Sequence, residues 1–365
     1  MKNNSQVFSL PATTSAIENR EDRGSQDTSV SNTKNFGAAT SFGVSTSSFA
    51  ISWAKKYYNT VEARENKKLL QIATTSEPAN YEENRAKTVD KLLDKLTAAI
   101  EIAWNSVEAV LGEQIEQYAI EPALINPLEI AADTRNLYRK AIDAYGDREP
   151  VFRLSVLVGK DIIEVRRKYS KTNPLVLGFV TLEYEYTAKI LLGYLSESER
   201  SQFVPYLKIL EDYLHIPYGE INLAAANLAP NSKSLLAAQH LLSHTTQIAS
   251  AVYEKAISHH QGYRSSSGYL TESAVKNSGI RDIEIFQNYL CWCVLEGSIR
   301  PVQQELFPLC LMLYPKLHIS WELVQDMLLI LSWQISDRLS AEDVMVFLPY
   351  LRALTEMFSS DVFEN

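Results

Sequence analysis

The chain has 365 residues, a formal net charge of -9 and 46% hydrophobic residues. Its length exceeds what one compact core usually holds, so two domains are expected. The acidic balance excludes a protein built around phosphate-backbone binding, which needs a basic face. Gly and Pro number 13 each, both below their ordinary usage, and few breakers favour helix.

In chain order, residues 1–50 hold sixteen Ser or Thr and a single Leu. Such a segment cannot bury enough apolar surface to offset chain entropy, and a disordered tail is expected. Its two Phe-Gly pairs, at Phe36 and Phe42, are read as punctuation rather than docking motifs. The first residues lack a basic region followed by an apolar core, so no secretory signal is expected. Residues 51–82 read as a helical linker, weak to about Thr74 and broken at Pro78. Beyond it, Val89, Leu92, Leu93, Leu96, Ile100, Ala103, Val107, Val110 and Leu111 recur at three- and four-residue steps. That spacing predicts one apolar face of a long helix, stopped by Pro122 and Pro127. Further helices are predicted near 130–145, 150–169 and 176–195. No segment sustains strand alternation, and the fold class expected is all-α. The longest apolar runs, "IFQNYLCWCVL" and "LFPLCLMLYP", are too short to span a bilayer.

Two stretches repeat at an offset of 144 positions. "LSESERSQFVPYLKILEDYL" (195–214) and "LSAEDVMVFLPYLRALTEMF" (339–358) share Leu, Ser, Phe, Pro, Tyr, Leu and a further Leu. Each opens on a capping pattern, Ser196 with Glu199 and Ser340 with Asp343. Each carries a Pro inside the helical pattern, where a kink is expected. The repeat predicts two tandem helical domains, 83–214 and 215–365.

The second of these resembles the phycobiliproteins, above all their α-type subunits. "SLLAAQHLLSHTTQIASAVYEKA" is similar to the family's long helix ending in Ala-Val-Tyr. "IRDIEIFQNYLCWCVLEG" is similar to the helix that carries Arg-Asp and closes on Gly. "HISWELVQDMLLIL" and "LSAEDVMVFLPYLRALTEMFSS" follow in the family's order. The resemblance covers about residues 220–360 and implies a globin-like helical fold. In that family a Cys two residues before Arg-Asp holds a bilin by a thioether, the Arg pairs with a bilin propionate, and the Asp holds the pyrrole nitrogens. Arg281 and Asp282 match, as vestigial bilin contacts. The Cys position is Gly279, and Ser278 does not replace a thiolate. In the first half the nearest counterpart is "DTRN", with Arg135 and Asn136, again without Cys. No covalent cofactor is therefore expected.

The pair has two readings. Arg281 and Asp282 either hold a tetrapyrrole non-covalently, or serve structure alone. In the second reading, which is preferred, Asp282 sits near the helix start, favoured by the dipole, and Arg281 pairs with it or with Glu284. His240 and His244 share a helix face but lack a third ligand, so no metal is expected. His259 and His260 read as solvated. Cys291, Cys293 and Cys310 read as buried thiols in a reducing compartment.

The resemblance implies a non-enzymatic, pigment-less scaffold or adaptor that docks to phycobilisome components or to a second copy of itself. It implies a cytoplasmic place, at or near the thylakoid surface, with no nucleic-acid partner. Two alternatives stand beside it: a globin-like sensory or regulatory module, and a non-covalent bilin carrier or bilin-processing protein.

Overall fold

The computed structural model describes residues 78–363. The tail expected at 1–50, and residues 51–77 of the expected helical linker, lie outside the described residues. The described chain is helical almost throughout. Its main helices are α1 Pro78–Gln117, α2 Pro127–Gly146, α3 Val151–Ser170, α4 Val176–Gly193, α5 Glu197–His215 and α6 Tyr218–Ala226. They continue as α7 Lys233–His259, α8 Ser273–Glu296, α9 Phe307–Leu313, α10 Trp321–Arg338 and α11 Ala341–Met357. Among the described residues, strand is confined to a hairpin of two-residue strands, β1 Arg264–Ser265 and β2 Gly268–Tyr269.

Local signals set many of the boundaries. On α1, Leu92, Leu96, Ile100, Ala103, Val107 and Leu111 are all buried, while Leu93 lies off that stripe and is exposed. Pro127 starts α2 at a position whose N–H would be unpaired anyway, and the Asn126 side chain accepts from Leu128 N and Glu129 N. Ser320 caps α10 through Leu323 N. Gly297 ends α8 at φ 66°, a left-handed conformation that glycine adopts without strain.

The two repeated stretches are α5 and α11. Ser196 and Glu199 form a reciprocal capping box, and Ser340 accepts from Asp343 N. Pro205 and Pro349 lie inside their helices. The same offset of 144 lays α1 over α7, α2 over α8, α4 over α10 and α5 over α11. The packing follows: α1 lies against α2 and α4, as α7 lies against α8 and α10, and α5 touches α2 and α4, as α11 touches α8 and α10.

The halves share one continuous apolar core. Helix α4 is central to it, being buried without a break from Val176 to Tyr184. It packs on α1 and α5 on its own side and on α9 across the boundary. Polar joints cross as well. Arg166 on α3 is buried and pairs with Glu305 and Tyr289 of the second half. The Tyr118 hydroxyl donates to Leu311 O over 2.9 Å.

Candidate functional site

A cavity of about 260 Å³ opens between α4, α7, α8 and α10, closed over by the 264–269 hairpin and the turn at 314–319. The period of α8 and α10 turns Phe286, Val324, Met327, Leu328 and Leu331 into its apolar walls. Its polar end is made by Glu185 on α4 and by Arg281 and Asp282 on α8, with the tyrosines Tyr253, Tyr263 and Tyr314 around it. The hairpin is tied down where it borders the cavity. Ser266 N donates to Leu317 O over 3.0 Å, and Tyr263 donates its hydroxyl to His318 O over 2.8 Å.

Arg281 and Asp282 thus line a real cavity, but their surroundings differ from the structural reading of the sequence. Helix α8 begins at Ser273, so the pair stands more than two turns inside it, beyond the reach of the terminal dipole. Of the two partners that reading gave Arg281, it pairs with Asp282 and not with Glu284, whose carboxylate accepts from Thr246. Its side chain is 9% exposed and meets three carboxylates: Asp282 at 3.2 Å, Glu185 at 3.0 Å, and Glu211. Glu185 and Glu211 come from α4 and α5, so this guanidinium fastens the second half to the first. His215 at the end of α5 adds a contact of 3.1 Å to Glu185.

One cation shared among three acids does not serve them equally. Burial by itself raises the Glu185 carboxyl, but Arg281 and His215 outweigh it and bring it down to about 2. Asp282 is raised instead: burial dominates, Arg281 offsets it only in part, and the negative charge of Glu185 adds to the rise. Burial also opposes charge on Arg281, but Glu211, Glu185 and Asp282 together keep it firmly protonated.

The residues present do not fit a thioether-linked bilin. Gly279 lines the cavity, yet the space a side chain would need there is taken. A Cβ on Gly279 would collide with the ring of Tyr253. That ring is 2% exposed and anchored by a hydroxyl bond to Leu270 O at 2.9 Å. None of the three thiols lines the cavity. All are buried, and burial pushes Cys293 and Cys310 up to about 12, far from a nucleophilic thiolate.

In the first half, Arg135 and Asn136 do not build a comparable pair. Asn136 is exposed, and the Arg135 Nε is buried without a partner. Taken at the offset of 144, the cavity residues Ser278, Asp282, Met327 and Leu328 correspond to Thr134, Tyr138, Glu183 and Tyr184. These residues contact one another. Tyr138 stacks on Tyr184 at 4.5 Å, and Thr134 donates to Glu183. Glu183 was not singled out by sequence reading. It is fully buried, and burial pushes its carboxyl up to about 7.

The histidines pair with acids or backbone. His240 contacts Asp343 at 2.9 Å, and His244 contacts the His240 carbonyl at 2.9 Å. His259 and His260 are more than solvated side chains: both reach Asp326, at 2.8 and 3.1 Å. Among the described residues, no group of three or more His, Cys, Asp or Glu is placed to hold a metal ion. No described helix is long and apolar enough to cross a membrane.

The family model for phycobilisome proteins matches residues 215–357. No curated protein and no solved structure matches the chain. The matched span holds α6 to α11 and most of the residues that line the cavity, Arg281 and Asp282 among them. The match over residues 215–357 supports membership of the phycobiliprotein family.

Proposed function

We propose that this protein is a phycobiliprotein without attached pigment, acting as a scaffold or adaptor for other phycobilisome components. The observation that carries this reading is the attachment position. Gly279 offers no thiol, and Tyr253 occupies the space one would need. The family match supports association with phycobilisome proteins and so a place at the thylakoid surface. We also propose that residues 83–214 are a degenerate copy of the same fold, because order and packing repeat at one offset. In that copy the cavity positions are filled by Tyr138, Tyr184 and Glu183, which suits a structural role. The role proposed is not enzymatic.

The test is co-expression with a bilin supply, denaturation, and zinc-enhanced fluorescence on a gel. The expected result is no fluorescent band at the mass of this chain, and such a band would overturn the reading. Co-sedimentation of the tagged full chain with intact antenna complexes separates scaffold from regulator. Recovery in the antenna fraction supports the scaffold, and recovery in the soluble fraction alone supports the regulator.

A further inference from the structure

The polar end of the cavity carries a charge balance opposite to the one a ligand carboxylate needs. All three guanidinium nitrogens of Arg281 already engage acids. Nε and Nη2 bond Asp282, Nη1 bonds Glu211, and Nη2 also pairs with Glu185. One guanidinium, with the His215 ring on Glu185 beside it, thus faces three carboxylates. On α5 just behind, Lys208 is taken up by Asp212 at 3.0 Å and brings no surplus cation. Lys189 borders the cavity but is exposed to water, where screening weakens it.

A second observation is independent of this count. Glu185 and Asp282 both line the cavity, and each uses a single oxygen toward protein. Asp282 meets Arg281 through Oδ1. Glu185 meets both Arg281 and His215 through Oε1. Among the described residues, Asp282 Oδ2 and Glu185 Oε2 have no hydrogen-bond donor. They are acceptors on the wall of a partly enclosed, mainly apolar cavity, where an ionic contact is stronger than in water.

We infer that this cavity binds a small molecule with an apolar body and a protonated amine, the ammonium lying between Asp282 and Glu185. The body lies along Phe286, Met327 and Leu328. A carboxylate in the same place meets a guanidinium already shared among three acids and is repelled by those acids. The cavity therefore discriminates by charge sign between ligands of the same shape. This goes beyond the pigment-less reading by giving the cavity an occupant, and it requires both halves, since Glu185 and Glu211 come from the first.

The probes are 4-phenylbutylamine and 4-phenylbutyrate, matched in body and opposite in charge. Each is titrated into the full chain by calorimetry at neutral pH and moderate salt. The amine is expected to bind at least tenfold tighter than the carboxylate. Asp282→Asn is expected to weaken the amine about tenfold and narrow the gap. Leu328→Trp, which fills the apolar wall and leaves the charges alone, is expected to abolish amine binding. The bilin gel is indifferent to both probes, so failure here and failure of the pigment-less reading are told apart. The inference is overturned if the carboxylate binds as well as the amine, if neither binds at millimolar concentration, or if Leu328→Trp leaves amine binding intact.

Discussion

Arg281→Met removes the one guanidinium on which Glu185, Glu211 and Asp282 converge, and methionine keeps most of the side-chain volume. Breaking a buried pair by deleting one partner costs about 3–5 kcal/mol, because the charge left behind is uncompensated. Here the three carboxylates are 28%, 30% and 29% exposed, so water relieves part of that, and the lower end, about 3 kcal/mol, is expected. At about 2.1 cal/mol/K of unfolding entropy per residue, that corresponds to roughly 4–5 °C in Tm. The pH dependence has a definite sign. Glu185 is held at about 2 in the folded chain, below its ordinary value, so its pairing stabilises fully above about pH 4.5 and is lost as pH falls toward 2. The deficit of Arg281→Met should therefore be full at pH 7 and shrink below pH 4. Urea unfolding of both proteins at pH 7 and pH 3.5 measures it. Glu211→Gln on the Arg281→Met background should cost less than on the natural one, with coupling above about 1 kcal/mol. A deficit under 1 kcal/mol at pH 7, or one that does not change with pH, would refute the idea that this cluster joins the halves.

Two further outcomes follow from single side chains. Glu183→Gln should stabilise the protein at pH 8 by up to about 3 kcal/mol and leave it unchanged near pH 4.5. The folded carboxyl is raised to about 7, so its cost is absent below the ordinary value and complete above pH 7; urea unfolding at the two pH values reads it, and an equal shift at both would count against a neutral buried Glu183. Gly279→Cys should lose roughly 1–3 kcal/mol of stability, since the new side chain must displace the Tyr253 ring. By the zinc gel, that variant co-expressed with bilin should still carry no pigment; a fluorescent band would show that the missing thiol alone, and not Tyr253, excludes attachment.

What was legible in the sequence was local. The α1 stripe, the caps at Ser196, Ser320 and Ser340, and the stop at Gly297 each follow from residues within a turn of one another. The order of helices in 215–357 was legible through resemblance, with the match to phycobilisome proteins behind it. What was not legible depends on distance along the chain. Glu211 lies 70 positions from Arg281, and no periodicity links them. Nor does the sequence reveal that the Tyr253 ring fills the space beside Gly279. The start of α8 was misplaced because "TESAVKNSGI" is half polar, and only packing against α7 extends the helix back to Ser273.

One signal was available and unused. The run "VLGFVTLEYEYTAKILLG" is the most apolar of the long described helices, yet it holds two glutamates two positions apart. Such a helix must be central, and a carboxylate in its wall has two escapes: lose the charge, or find a cation. The structure uses both. Successive odd positions point roughly 200° apart around a helix, so the two side chains cannot share an environment. Glu183 faces α2 of its own half, meets only Thr134, and is pushed toward neutrality. Glu185 faces the second half, meets Arg281 and His215, and is held ionised. One glutamate is thus closed into the packing of the first half, and the next supplies an acid to a cavity lined mostly by residues 253–331, so that site draws on both parts of the chain.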